Sequence, residues 1–244
     1  MSANVLNMFT RMCVPGRPAF ENIHEILIFE HSYFDELLSL IHSINCIFAK
    51  YFLSSDSFGP ELSLFQIDFY KRKLYDIRKI MLTVVFNLLS CSSGQLLLSK
   101  ISTNRVFISN FRLIPVLIHT LHVFGISDNF EDFSTAALVI DCLHLTSYSF
   151  ARTYHFRDPL PGYESSLIDL TLSFLLSRHE QLVAKCAVLL EGIMISVENL
   201  DIGIYLLILN ILYSVGADVC VDCLKKVCQS GPCSQIYRQQ LQSF

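Results

Sequence analysis

Tryptophan is absent from this sequence, and glycine, proline and charged residues are scarce. The 244 residues include 9 Gly and 7 Pro, too few for a collagen-like chain, a disordered chain or a turn-rich all-β fold. Charged residues make up only 16% of the chain and the formal net charge is -4, so no overall positive field attracts nucleic acid. We therefore expect a mostly helical protein without a nucleic-acid partner.

Basic residues cluster in one part of the chain, at Lys71, Arg72, Lys73, Arg78 and Lys79. On a helix these positions fall on more than one face, and charge on a helix surface is usually hydrated. We therefore interpret the cluster as a solvated helix surface rather than as a site for nucleic acid.

The sequence also lacks the short motifs that mark common enzyme families. It contains no GxxxxGK[ST] phosphate-binding loop, no GxGxxG turn, no GxSxG nucleophile elbow and no HExxH helix. A nucleophilic cysteine with a histidine base could be drawn from any of nine cysteines and eight histidines, so such a pair carries no weight. We predict that the chain is not an enzyme and uses no cofactor.

The nine cysteines are an odd number, and most lie within apolar runs of helical periodicity. Free thiols in such runs pack as small apolar side chains. The N-terminal residues lack the sustained apolar segment of a secretory signal peptide. These observations favour a reducing, intracellular location, in the cytoplasm, the nucleus or both.

Two groups of residues resemble metal ligands only in part. The first consists of the C-terminal cysteines Cys220, Cys223, Cys228 and Cys233. Their spacing matches no standard pair of zinc knuckles. The second combines two histidines on one helix face with a third on another helix, His119, His122 and His144. This group has no carboxylate partner. We interpret both groups as packed side chains and predict no metal site.

The apolar content is high enough for membrane association to need consideration, at 52% of the residues with a mean hydropathy of +0.46. The most apolar stretch, Ile202 to Val215, is shorter than the ~20 residues that span a bilayer, and Asn210 lies within it. We interpret this stretch as a buried core helix, packed between helices at 180–197 and 217–229. A second hypothesis is that it docks a partner protein, a second copy or further chain.

Helical periodicity runs through most of the chain and is interrupted by turn-forming residues. We predict helices at 20–52 (two, broken near 31–32), 62–91, 95–101, 113–124, 129–148, 163–176, 180–197, 201–215 and 217–229. The longest polar break lies at 152–162. We divide the chain into a flexible arm at 1–18, one helical domain at 19–233, and a tail or short helix at 234–244.

The strongest organising signal is an internal repeat of one helix pattern. Residues 84–90 align with 138–144 and then with 188–194, and each copy holds one polar residue between apolar neighbours. One helical unit of this kind is too apolar to be stable alone, whereas several stacked units bury a continuous core. The pattern therefore predicts a stack of helical repeats.

The joint between the first two repeats carries a more specific signature. A helix ends in Phe86-Asn87-Leu88-Leu89, a turn follows at 92–94, and a later helix opens with Leu113-Ile114-Pro115. This order resembles the junction between armadillo repeats, in which an Asn-Leu pair closes one repeat and a proline opens the long helix of the next. The resemblance covers about residues 81–121.

The resemblance implies an all-α fold, an armadillo-like right-handed α-solenoid of stacked helical repeats. In that family the polar residue of each repeat faces a concave groove, where an Asn binds the backbone of an extended peptide. The groove positions implied here are Asn87, Asp141 and Glu191, with Arg112 and Arg152 as flanking polar contacts.

These observations favour a non-catalytic scaffold or adaptor that binds a segment of another protein, through the groove or through an apolar end. Self-association through the apolar C-terminal helices is a further hypothesis, and we expect no membrane partner. The alternative is a helical membrane-associated or lipid-binding protein, which only the composition favours. A degenerate enzyme or a zinc protein built on the C-terminal cysteines is a third, weaker alternative.

Overall fold

The computed structural model describes residues 33–50, 64–90, 113–124, 130–150, 158–177, 179–196 and 201–230. Within these ranges the chain forms eight helices and no strand, which confirms the predicted all-α class. The chain divides into two compact units, Met1–Gly125 (unit 1) and Ile126–Phe244 (unit 2), and each is described by itself. The single domain predicted at 19–233 stays a prediction. In a stack of repeats each repeat contacts only its neighbours, so a division into two units is also expected of a single stacked domain.

Unit 1 contains the described helices α1 (Tyr33–Phe48), α2 (Leu64–Ser90) and α3 (Leu113–Phe124). Helix α1 packs against both α2 and α3. Apolar residues recur every three to four positions along each helix, so each helix presents an apolar stripe to the others. The fully buried members of these stripes include Leu38, Ile41, Leu82, Val85, Leu117 and Leu121.

Unit 2 contains the described helices α4 (Phe130–Phe150), α5 (Leu167–Leu175), α6 (Glu180–Ser196), α7 (Ile202–Val215) and α8 (Asp218–Ser230). Helix α6 contacts each of the other four. It is therefore the central helix of the unit, and apolar residues line most of its circumference. Its fully buried side chains include Cys186, Ala187, Leu189, Leu190, Ile193 and Met194.

Most helix boundaries in the described ranges are confirmed to within two residues. Helix α2, predicted at 62–91, spans Leu64–Ser90, and α3 begins and ends at the predicted residues. Pro115 lies in the first turn of α3, where a missing backbone N–H leaves no hydrogen bond unmade.

Two helices differ by more: α1, predicted to run to 52, ends at Phe48, and α5 begins at Leu167 rather than at the predicted Tyr163. Ser166 is its N-cap residue: the Ser166 Oγ accepts a hydrogen bond from the Asp169 backbone N–H at 3.2 Å. The Ser166 backbone N–H donates to Oδ2 of Asp169 at 2.8 Å. This reciprocal capping box satisfies two N–H groups and fixes the helix start.

Helix α7 is bounded by two local signals. The Asp201 Oδ1 accepts hydrogen bonds from the backbone N–H groups of Gly203, at 2.8 Å, and Ile204, at 3.3 Å. At the other end Gly216 adopts a left-handed conformation, with φ of 65°, and its N–H donates to the Leu212 carbonyl. Glycine adopts this conformation without the steric cost that a Cβ imposes.

Several predictions fall outside the described residues. They are the arm at 1–18, the helices at 20–30 and 95–101, the tail at 234–244, and the groove-flanking residues Arg112 and Arg152. Of the polar break at 152–162, the described part at 158–162 contains no helix.

Candidate functional site

A buried polar network links the three described helices of unit 1. Arg78 of α2 donates a hydrogen bond from Nη1 to Oδ1 of Asn45 in α1 at 2.9 Å. Asn45 donates from Nδ2 to Oγ1 of Thr120 in α3 at 2.8 Å. All three side chains are fully buried. Because a buried polar group that loses its partner is costly, the network fixes the alignment of the three helices.

The Arg78 guanidinium also stacks on two aromatic rings. Its Cζ atom lies 4.2 Å from the ring centroid of Phe48 and 5.2 Å from that of Tyr75. The two ring centroids are 4.6 Å apart. A planar guanidinium is suited to this position, since it stacks on π-systems while its edge donates hydrogen bonds.

The burial of Arg78 corrects the prediction that the whole basic cluster is solvated. Arg72 and Lys79 are exposed as predicted, whereas Arg78 has no exposed surface. Arg78 lies three and four positions before the buried Met81 and Leu82, so it belongs to the apolar stripe of α2. This three- and four-residue spacing to Met81 and Leu82 is the sequence pattern that indicates the burial of Arg78.

A second group of side chains lies between α1 and α3, at His42, Cys46 and His119, and we call it the His–Cys cluster. The Nδ1 atoms of His42 and His119 are 3.2 Å apart, so one ring donates its N–H to the other. The Nε2 atom of His42 is 3.6 Å from Sγ of Cys46. One nitrogen from each ring and the thiol sulfur all lie within 4.8 Å of one another.

No other trio of His, Cys, Asp or Glu side chains in the described ranges meets this spacing. His42 and Cys46 are exposed, whereas His119 is buried. Burial, with smaller contributions from the neighbouring His42, His122 and Arg78, lowers the pKa of His119 to about 4. The His119 ring is therefore neutral at neutral pH, which is the state in which imidazole binds metal ions.

The neighbours of His119 differ from those that the sequence predicts, His122 and His144. The structure places the His119 ring against that of His42, with centroids 5.1 Å apart. His122 is half-buried on the same helix, and His144 belongs to unit 2. The missed signal was the four-residue spacing of His42 and Cys46, which puts both side chains on one face of a helix.

Two of the predicted groove residues form ion pairs within unit 2. Asp141 of α4 pairs with Lys185 of α6. Glu191 of α6 is buried and pairs with Lys226 of α8 at 3.3 Å. Asn87 is half-buried in α2 of unit 1. A groove-facing role for these residues stays a prediction, and a peptide bound at the two acidic positions would compete with the lysines.

The C-terminal cysteines pack as the sequence predicts wherever they are described. Cys220 and Cys223 are buried in α8, and Cys228 is half-buried. Burial, with a hydrogen bond to Glu191, raises the pKa of Cys223 to about 12, and burial also raises that of Cys220. Loss of the thiol proton, which metal binding requires, is therefore more costly at both residues than at an exposed cysteine. Cys233 lies outside the described residues.

Helix α7 buries one face and exposes the other. Its buried residues are Tyr205, Ile208, Leu209 and Leu212. Around the rest of the helix the exposed fractions are 46% for Ile202, 48% for Leu207 and 80% for Tyr213, and Leu206 is half-buried. We call these four residues the α7 face. The interpretation of α7 as a buried core helix is therefore right for one face and wrong for the other.

A cavity of about 290 Å³ lies in unit 2, where the start of α4 approaches the start of α6. The ring centroids of Phe133 and His179 are 3.5 Å apart at its wall. Its volume is at the lower limit of the roughly 300–1,000 Å³ typical of small-molecule pockets. We assign no ligand to it.

Comparison with protein-family models, with curated proteins and with solved structures gives no match to this chain. In the part of the chain that the structure describes, no helix combines the length and the apolarity needed to cross a membrane.

Proposed function

We propose that this chain is a non-catalytic, intracellular scaffold that binds an amphipathic helix of another protein through the α7 face. The observation that carries the proposal is the exposure of large apolar side chains on α7: Ile202 and Tyr213 lie in one strip with the half-buried Leu206. The exposed Leu207 lies about 100° around the helix from Leu206. Large apolar side chains exposed close together on a surface often mark a protein interaction site. The free thiols at the described cysteines support a reducing location.

The dimensions and chemistry of the α7 face suit a helical partner. Helix α7 has 14 residues, so it is about 21 Å long. Ile202, Leu206 and Tyr213 lie within about 40° of one another around the helix axis, so they form a narrow apolar strip against which a second helix can pack. The face contains no charged residue, which leaves apolar contact as its main source of affinity.

The charges around α7 favour a protein partner over a lipid surface. The helix contains no Lys or Arg, and Asp201 and Asp218 flank it. Helices that lie in membrane interfaces are usually rich in Lys and Arg, which are attracted to anionic headgroups. The acidic flanks therefore weigh against the membrane-associated alternative.

The architecture we propose for the scaffold is the armadillo-like right-handed α-solenoid that the repeat pattern implies. Its groove would be lined by Asn87, Asp141 and Glu191. The internal repeat and the all-helical described ranges support this arrangement.

The test begins with the purified full chain in detergent-free buffer. Light scattering after size exclusion gives its mass, and crosslinking mass spectrometry in lysate identifies a partner segment. The affinity of that purified segment is then measured for the wild type, for Leu207→Glu, and for the control Leu176→Glu. Leu176 is 66% exposed at the end of α5, so both substitutions add one carboxylate at an exposed leucine.

We expect Leu207→Glu to weaken binding at least about tenfold, because the carboxylate loses water against an apolar partner. Leu176→Glu should bind as the wild type does. Equal affinity for all three chains would refute the proposal. A concentration-dependent dimer abolished by Leu207→Glu would replace it with self-association, and sedimentation with lipid vesicles abolished by the same change would replace it with the membrane alternative.

A further inference from the structure

We propose that His42, Cys46 and His119 form a zinc site that joins α1 to α3, with a water molecule as the fourth ligand. The proposal is independent of the scaffold function, since it concerns unit 1 and the α7 face belongs to unit 2. Two imidazole nitrogens and one thiolate form a ligand set that favours zinc over magnesium or calcium. Magnesium and calcium prefer oxygen ligands.

Two contacts within the cluster have the spacing found between ligand atoms of a zinc coordination sphere. Tetrahedral geometry with Zn–N near 2.05 Å and Zn–S near 2.3 Å places two nitrogens about 3.3 Å apart and a nitrogen about 3.6 Å from the sulfur. The two Nδ1 atoms are 3.2 Å apart, and Nε2 of His42 is 3.6 Å from Sγ of Cys46.

Binding of one ion by all three side chains requires a rotation, because His42 uses Nδ1 in its contact with His119 and Nε2 in its contact with Cys46. One nitrogen of each ring and the sulfur already lie within 4.8 Å of one another. His42 and Cys46 are exposed, so their side chains have room to rotate onto one ion without repacking the core. The same exposure provides the path by which the ion enters.

The polar network of unit 1 fixes the position of α1, which carries His42 and Cys46, relative to α3, which carries His119. Asn45 and Thr120 are joined by a 2.8 Å hydrogen bond between α1 and α3. They are adjacent in sequence to Cys46 and His119, so the bond that fixes the two helices also fixes the separation of the ligands. Partners of this kind around a metal site keep the ligands oriented for binding.

Cys46 is the one side chain of the three that would bind as an anion, since cysteine binds metal in the deprotonated form. Its thiolate would offset part of the charge of the cation. We therefore expect Cys46 to be indispensable for binding.

The experiment is a titration of the purified full chain, under reducing conditions, with Co²⁺ as a spectroscopic substitute for zinc, followed by competition with Zn²⁺. Cobalt bound to a thiolate gives a sulfur-to-metal charge-transfer absorption. We expect this band to saturate at one equivalent and to disappear in Cys46→Ser. Loss of a side chain that only hydrogen-bonds to a metal ligand weakens metal binding at least about tenfold. We expect His42→Gln, which removes a ligand itself, to weaken zinc binding by at least that factor.

Cys228→Ser is the matched control, because it removes a half-buried thiol from α8 in unit 2. It should keep the band and the affinity of the wild type. Both Cys46→Ser and His42→Gln change exposed residues, and circular dichroism checks that they fold. Zinc should raise the thermal midpoint of the wild type but not of Cys46→Ser. Absence of the band from the wild type, or its persistence in Cys46→Ser, would overturn the proposal.

Discussion

The Arg78 guanidinium donates a 2.9 Å hydrogen bond to the Asn45 side chain, and neither residue has exposed surface. This contact joins α2 to α1, and Asn45 continues it to Thr120 of α3. Polar residues thus occupy positions that the apolar stripes of unit 1 would otherwise fill with leucine or isoleucine. A buried network of this kind penalises any alignment of the helices that breaks it.

Replacement of Asn45 by alanine should destabilise unit 1 by about 1–3 kcal/mol, because buried Arg78 and Thr120 each lose a hydrogen-bond partner. Hydrogen exchange of α1 and α3 peptides, measured by mass spectrometry, reports this unit separately from unit 2. Ser43→Ala is the control, since Ser43 is exposed on the same helix and donates only to the Ser39 carbonyl. Equal protection in the two variants would show that the network contributes nothing.

Replacement of Arg78 by lysine should also destabilise the protein, by about 1.5–3 kcal/mol, the range of a hydrogen bond to a charged group. Lysine keeps the charge but lacks the planar group that stacks on Phe48 and Tyr75. Urea unfolding measures the change, with Arg72→Lys on the exposed side of α2 as the control. If Arg78→Lys left the free energy of unfolding unchanged, the positive charge alone would matter at this position.

Replacement of Ser166 by alanine should cost roughly 1 kcal/mol, since it removes the side-chain acceptor for the Asp169 N–H at the start of α5. The neighbouring Ser165→Ala keeps the capping box and should leave the urea midpoint unchanged. If both variants unfold at the wild-type midpoint, the cap does not determine where α5 begins.

Alkylation should separate the described cysteines by burial. With a chelator present at neutral pH, the exposed Cys46 should react with iodoacetamide in the native protein. Cys186 and Cys223 should react only after denaturation, because burial removes access and raises the pKa of both thiols. Peptide mass spectrometry reads each site. Native alkylation of Cys186 at the rate of Cys46 would contradict the packing of α6.

The sequence predicted the described helices well because their signals are local. The stripe of α3 and its early proline lie within one element, and so do the aspartate and glycine that bound α7. The prediction failed at α5, where Tyr163 continues the apolar pattern. A reciprocal hydrogen bond between Ser166 and Asp169 overrides that pattern.

The candidate sites were less predictable, since they depend on residues far apart in the chain. The run of basic residues predicts a solvated Arg78, whereas its spacing to Met81 and Leu82 makes it part of the buried stripe. The exposed side of α7 was not foreseeable either. An apolar stretch shows that a helix can be buried, but not which of its faces finds a neighbour.

By itself, the sequence determined that the described part of this protein is helical, where most of those helices begin and end, and that most described cysteines pack as buried thiols. Periodicity and capping act over a few residues, so they can be read along the chain. Only the tertiary structure decided that Arg78 meets Asn45 and that His119 meets His42. Those contacts form when helices distant in sequence pack together, and no local pattern specifies which pair will meet.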